Sequence, residues 1–136
     1  MKVSIIIPVR NEELVIKKTI EQLENELSNL PYEIIFVNDF STDRTFELIK
    51  KISATKTQIN LYNNKKKGLG SAITEGIDKA QGEAVCIMMS DLSDDISDLK
   101  KYYEIIKNDN VDAVFGSRFL KESKIIDYPK KKINTK

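Results

Sequence analysis

Apolar, β-branched runs alternate with helical patterns along the chain, and this alternation predicts the elements. Residues 3–8 (VSIIIP) carry almost no polar alternation, the pattern of a strand buried on both faces. Asn11 is placed to cap a following helix in which Ile16, Ile20, Leu23 and Leu27 recur on one face. Residues 32–38 (YEIIFVN) read as a second strand. Ser41 or Thr42 is the expected cap of a second helix, with Phe46, Ile49 and Ile52 turned inward. Residues 58–62 form a shorter third strand, less buried because polar residues are mixed in. Gly68-Leu69-Gly70 opens a third helix with Ile73, Ile77 and Ala80 on one side, where Gly76 permits close approach to the sheet. A fourth strand at 84–89, a helix at 96–108 and a fifth strand at 111–116 complete the series.

Helices between successive strands demand crossover connections, and so an α/β fold: an open, mainly parallel sheet with helices on both faces. The 136 residues suit one domain, long enough to bury ~70% of its unfolded surface. Residues 1–118 hold the periodic elements, whereas 119–136 lack a clear period and form a Lys-rich tail.

Composition narrows the chemistry. With 22 basic and 21 acidic residues, the net charge of +1 gives no electrostatic basis for a nucleic-acid partner. The runs Lys65-Lys66-Lys67 and Lys130-Lys131-Lys132 read as solvated loop lysines. The lone Cys86 sits in an apolar run, as a small buried hydrophobe in a reducing cytoplasm would. The absence of histidine excludes Ser-His-Asp and Cys-His nucleophilic systems and leaves oxygen ligands for any metal, which favours Mg²⁺ or Mn²⁺. No apolar run approaches the ~20 residues of a membrane span, and the N-terminus has no signal-peptide pattern. The expectation is a cytoplasmic protein, soluble or peripheral at the cytoplasmic face of a membrane.

Ligands of open parallel sheets bind beyond the carboxyl ends of the strands. Those ends carry Pro8-Val9-Arg10-Asn11-Glu12-Glu13, then Asn38-Asp39, then the lysines and Gly68-Leu69-Gly70, then Ser90-Asp91-Leu92-Ser93-Asp94-Asp95, then Gly116-Ser117-Arg118. Each piece alone has a plain alternative. The glycine pair lacks the third glycine of a dinucleotide fingerprint and suits a tight turn. Asp39 suits a turn, Asp43 a helix dipole, and Arg118 an exposed surface. Asp91, Asp94 and Asp95 form either a divalent metal site or a capped turn. A receiver-type signalling domain is disfavoured, because its acidic positions after the first and third strands read Val9-Arg10-Asn11 and Asn63-Asn64-Lys65 here.

Taken in order, SIIIPVRNEE, EIIFVNDFSTDRT, NNKKKGLGSAITEGI, GEAVCIMMSDLSDD and DAVFGSRF resemble the family 2 glycosyltransferases, and most nearly their dolichyl- or polyprenyl-phosphate mannosyl- and glucosyltransferase branch. The resemblance implies a GT-A fold, Rossmann-like, with a nucleotide-sugar-binding first half. By similarity, Pro8, Arg10, Glu12 and Gly68 line the nucleotide-sugar pocket and Asp39 holds the base, next to Asn38 where many relatives carry Asp. The family's DxD pair, which holds Mg²⁺ or Mn²⁺ on the diphosphate, falls on Met89 and Asp91, so only half of it survives. Asp91 is then a metal and catalytic residue, either alone or completed by Asp94 and Asp95. Arg118, by the same resemblance the second catalytic residue, matches an arginine near the phosphates.

The resemblance further implies an inverting transfer of a hexose from a GDP- or UDP-sugar to a polyprenyl-phosphate or glycan acceptor. Relatives continue well beyond Lys136, so the fold is expected to be truncated at its C-terminal, acceptor-binding side. The alternative is a non-catalytic or incomplete nucleotide-sugar-binding module. Peripheral membrane contact and self-association through exposed apolar surface are compatible with either.

Overall fold

A computed structural model describes residues 1–117. Arg118 and the Lys-rich tail, including Lys130-Lys131-Lys132, lie outside the described residues. Four strands, β1 (Val3–Val9), β2 (Tyr32–Asn38), β3 (Ile59–Asn63) and β4 (Ala84–Ile87), form one parallel sheet in the order β3-β2-β1-β4. They alternate with helices α1 (Ile16–Leu27), α2 (Thr45–Ser53), α3 (Leu69–Lys79) and α4 (Asp98–Asn108).

The two central strands explain their own apolar runs. Ile5, Ile6 and Ile7 of β1, and Ile34, Ile35, Phe36 and Val37 of β2, are fully buried because both sheet faces are covered. On one face Ile5, Ile7, Val9, Ile34 and Phe36 pack against Ile16, Ile20, Leu23 and Leu27 of α1, Ile49 of α2 and Leu99 of α4. On the other face, among the described residues, α3 packs with Ala72 against Ile35 and Val37. Gly76 makes that approach possible, since a Cβ there would collide with Ile6 and press on Val37.

Several expectations change. The inward face of α3 is set by Ala72 and Gly76, while Ile77 stays 46% exposed and Ile73 only half-buried. Small residues mark the contact because the backbone itself lies close to the sheet. No strand forms at 111–116: this stretch is irregular, and among the described residues β4 has no neighbour on its outer edge. A strand-like sequence without a ladder to join leaves its backbone groups to water. β4 is correspondingly short, and Val85 and Ile87 remain 45% and 50% exposed because α3 does not reach across them. Asn11 does not cap α1, which begins at Ile16, and neither Ser41 nor Thr42 caps α2, which begins at Thr45. These three residues join the two loops to each other instead.

At the amino ends of the strands a closed polar group ties α3 to the sheet. Glu33 is buried and accepts hydrogen bonds from the Ser4 hydroxyl (2.6 Å) and the Gln81 amide (2.7 Å), with Lys2 Nζ at 3.3 Å. Burial raises the pKa of this carboxyl, but the Ser4, Gln81 and Lys2 interactions outweigh it and the net shift is downward.

Candidate functional site

The order β3-β2-β1-β4 places the reversal of strand order between β1 and β4, where an open α/β sheet forms a crevice at its carboxyl edge. Pro8 lies within buried β1, and exposed Arg10 follows directly after it. Asn11 adopts φ 54°, and its side-chain oxygen accepts from the amides of Thr42 (2.8 Å) and Asp43 (3.3 Å). The lacing continues in both directions. The Glu12 amide donates to Thr45 Oγ1 (2.8 Å), the Glu13 amide to Asp43 Oδ2 (3.2 Å), and the Arg44 amide to Glu13 Oε2 (2.9 Å). Asp43 also accepts from the Thr45 amide and hydroxyl. Burial raises the Asp43 pKa, yet these bonds prevail and leave it lowered.

Asn11, Phe40 and Leu92 are the non-glycine residues with positive φ among those described, and all three follow strands at the same carboxyl edge. Such conformations are costly and collect where a loop is held in one shape for a task.

Glu12 and Asp91 lie in the loops that follow β1 and β4, the two strands that flank the crevice. Burial, and then the charge of Asp91, raise the Glu12 carboxyl above its usual range, while a hydrogen bond with Ser90 opposes them. Ser90 is itself buried, with its carbonyl accepting from Thr19 Oγ1 of α1 at 2.9 Å.

The acidic stretch after β4 divides its work. Asp91 is exposed and uses Oδ1 to accept from the Ser93 amide (3.0 Å). Asp94 Oδ2 accepts from the Met89 amide (3.2 Å), and Asp95 Oδ1 from the Ser97 amide and hydroxyl just before α4. Those Ser97 bonds lower the Asp95 pKa. Among the described residues no three acidic or cysteine side chains converge as a group able to hold a metal. The described acids thus form no cation site closed by protein alone. The Met89 thioether is too soft to contribute to a Mg²⁺ or Mn²⁺ ion. Burial, and then the charge of Asp94, push the Cys86 thiol up to about 11, so it is no nucleophile at neutral pH.

After β2 and β3 the edge is closed by Asp39 and Asn64, both buried. Asp39 Oδ1 accepts from the Gly68 amide (2.9 Å) and from Asn64 Nδ2 (2.8 Å). Gly68 has φ +131°, open to glycine and strained for any other residue, and this lets its amide point back at Asp39. Asn38 spends its amide within the protein, donating to Asn63 (3.0 Å) and accepting from the Ser41 amide (3.2 Å). Lys65 pairs with buried Glu75 at 3.0 Å, whereas Lys66 and Lys67 are exposed.

Sequence reasoning missed Thr19, Thr45, Asn64 and Ser90, whose partners are remote in the chain. Asn64 alone left a signal: it stands one residue beyond β3, as Asp39 stands one beyond β2, and the last residues of these strands are paired.

The family profile described as "Glycosyl transferase family 2" matches residues 4–135, nearly the whole chain. The chain belongs to glycosyl transferase family 2. It is 36% identical over 129 residues to a dolichol-phosphate mannosyltransferase of Pyrococcus furiosus, covering 95% of this chain and 36% of that protein. It is 34% identical over 134 residues to a dolichyl-phosphate beta-glucosyltransferase of Trichomonas vaginalis, covering 90% of this chain and 41% of that one. The chain thus spans well under half the length of these family members.

Solved structures agree on the fold. S. aureus TarS 1-349 in complex with UDP superposes with a TM-score of 0.62 at 28% identity, covering 79% of this chain and 32% of that one. The Pyrobaculum calidifontis mannosyltransferase PcManGT, in complex with GDP-Man and Mn²⁺, gives 0.58 at 25%, covering 65% and 27%. The architecture is that of GT-A glycosyltransferases, here a four-stranded parallel sheet with helices on both faces. No helix among the described residues is long and apolar enough to cross a membrane.

Proposed function

We propose that this chain is the donor-binding part of an inverting glycosyltransferase that takes a hexose from a GDP- or UDP-sugar to a polyprenyl-phosphate or glycan acceptor. The observation that carries the reading is the placement of Glu12, Asp39 and Asp91 in the loops that follow β1, β2 and β4 at one carboxyl edge of the sheet. In this reading Asp39 receives the base, Pro8, Arg10, Glu12 and Gly68 line the nucleotide-sugar pocket, and Asp91 faces the diphosphate. A Mg²⁺ or Mn²⁺ ion shared by Asp91 and the phosphates would neutralise the leaving nucleoside diphosphate. Asp94 and Asp95 brace the turn around Asp91 by accepting from the Met89 and Ser97 amides, and would assist Asp91 in holding the ion. Arg118 follows the irregular stretch after α4 and is assigned to the phosphates by resemblance. A phosphate acceptor arrives ionised, so the attack at the anomeric carbon needs no strong base.

The names of the relatives support a polyprenyl-phosphate acceptor. The test is hexose transfer from labelled GDP-mannose or UDP-glucose to polyprenyl phosphate by this chain. A β-linked product from an α-linked donor is expected, and an α-linked product would contradict inversion. Donor binding without transfer would favour the second reading, a nucleotide-sugar-binding module.

A further inference from the structure

Asn64 has no assigned role, yet every polar group of its side chain is engaged at the site. Its Nδ2 donates to Asp39 Oδ1 (2.8 Å) and to the Gly68 carbonyl (3.2 Å), and its Oδ1 accepts from Ser71 Oγ (2.9 Å). The backbone amide of Asn64 donates to the Asn38 carbonyl (2.9 Å), which fixes the residue beside the end of β2. The orientation of the amide is not arbitrary. A carboxylate and a carbonyl only accept, so the NH₂ must face them, and the Ser71 hydroxyl then donates to the remaining oxygen. The side chain is 6% exposed and bridges the ends of β2 and β3 and the first turn of α3.

The effect falls on Asp39. Two strong donors, Asn64 Nδ2 and the Gly68 amide, occupy its Oδ1, while Oδ2 receives only a longer contact of 3.2 Å from the same Gly68 amide. The carboxylate is thereby held in one rotation, with Oδ2 the oxygen left with acceptor capacity. We propose that Asn64 is a positioning residue for nucleotide recognition: it locks Asp39 so that Oδ2 accepts the ring N–H of a base that carries one beside a carbonyl, as uracil and guanine do. This rests on the reading of Asp39 as the base-binding residue. An alanine at 64 removes one of the two donors on Oδ1 and leaves Asp39 tethered through the Gly68 amide, so the base meets a less firmly oriented acceptor while the diphosphate end of the site is untouched.

The test is a double-mutant cycle on the dissociation constant of UDP or GDP, whichever the wild-type protein binds, with Mn²⁺-pyrophosphate as the control ligand. Asn64→Ala is expected to weaken nucleotide binding about tenfold and pyrophosphate binding less than twofold. In an Asp39→Ala background the same substitution is expected to change nucleotide binding less than twofold. An equal loss in both backgrounds, or an equal loss for pyrophosphate, would show a purely structural role and overturn the proposal. Should Asn64→Ala not fold, Ser71→Ala removes one of the three bonds that hold the amide and is expected to weaken nucleotide binding about threefold; no change there overturns the proposal as well. Failure of the wild-type protein to bind either nucleotide would overturn the functional reading and this inference together, whereas wild-type binding that ignores Asn64 overturns this inference alone.

Discussion

The side-chain oxygen of Asn11, just after β1, accepts a 2.8 Å hydrogen bond from the amide of Thr42, 31 residues further along the chain after β2. The bond joins two loops that the sheet brings together only at its carboxyl edge. Asn11 adopts φ 54° while making it, a conformation that asparagine tolerates better than most residues. Asn11→Ala should destabilise the fold by about 1–2 kcal/mol, through unpaired amides at Thr42 and Asp43 and a strained backbone. Asn11→Gly loses the same bonds without the strain and should cost less. Urea midpoints of the two variants decide it, and equal losses would remove the backbone contribution.

Glu33 makes stability depend on pH at the opposite end of the sheet. Its folded pKa is lowered, so the ionised form stabilises the fold fully above the ordinary glutamate value of about 4.3, and this is lost as pH falls through the folded value. Glu33→Gln should be less stable than the wild type by about 2 kcal/mol at pH 7, with the gap narrowing towards pH 3. Denaturation curves at the two pH values check this; a gap independent of pH would mean that shape and not charge carries the effect.

Gly76 and Gly70 provide a matched contrast within α3. A methyl group at Gly76 would meet Ile6 and Val37, whereas one at Gly70 meets nothing within 4 Å. Gly70→Ala should stabilise by about 0.5–1 kcal/mol from helix propensity alone. Gly76→Ala gains the same propensity but overpacks the sheet contact, for a net loss of about 1–2 kcal/mol. Thermal melts that rank the two variants the other way would refute the close approach of α3.

The contrast also shows what was legible in the sequence. β1 and β2 could be read directly, since strands buried on both faces announce themselves as continuous apolar runs, and the predicted bounds of β2 coincide with the observed Tyr32–Asn38. The α3 face was legible at Gly76 and Ala80 and misread at Ile73 and Ile77, because apolar periodicity marks the isoleucines while the contact is made by small residues through the backbone. The stretch at 111–116 has the composition of a strand, but composition cannot supply the neighbouring strand that a ladder needs. At the site, Asp39, Glu12 and Asp91 were legible as acids at strand ends. Ser90 and Thr45 were not, because their partners are 71 and 33 residues away and a local cap rule does not see them, and Asn64 left only its place one residue beyond β3 as a signal.

Met89 supplies a gain-of-function test. An aspartate there would add a hard oxygen donor two residues before Asp91. Met89→Asp should tighten Mn²⁺ binding in the presence of nucleoside diphosphate several-fold, as read by titration with the paramagnetic ion. Unchanged or weaker binding would show that position 89 does not face the ion.

The central claim is that the crevice beside Asp91 binds the diphosphate of a nucleotide-sugar together with a divalent ion. Its most direct test is calorimetric titration of the wild-type protein and of Asp91→Ala with UDP- and GDP-sugars, with and without Mn²⁺. The account predicts Mn²⁺-dependent binding of one of them, weakened at least tenfold by Asp91→Ala, about 1.4 kcal/mol or more. No binding to the wild-type protein under any of these conditions, or binding that is indifferent to both Mn²⁺ and Asp91, would contradict it.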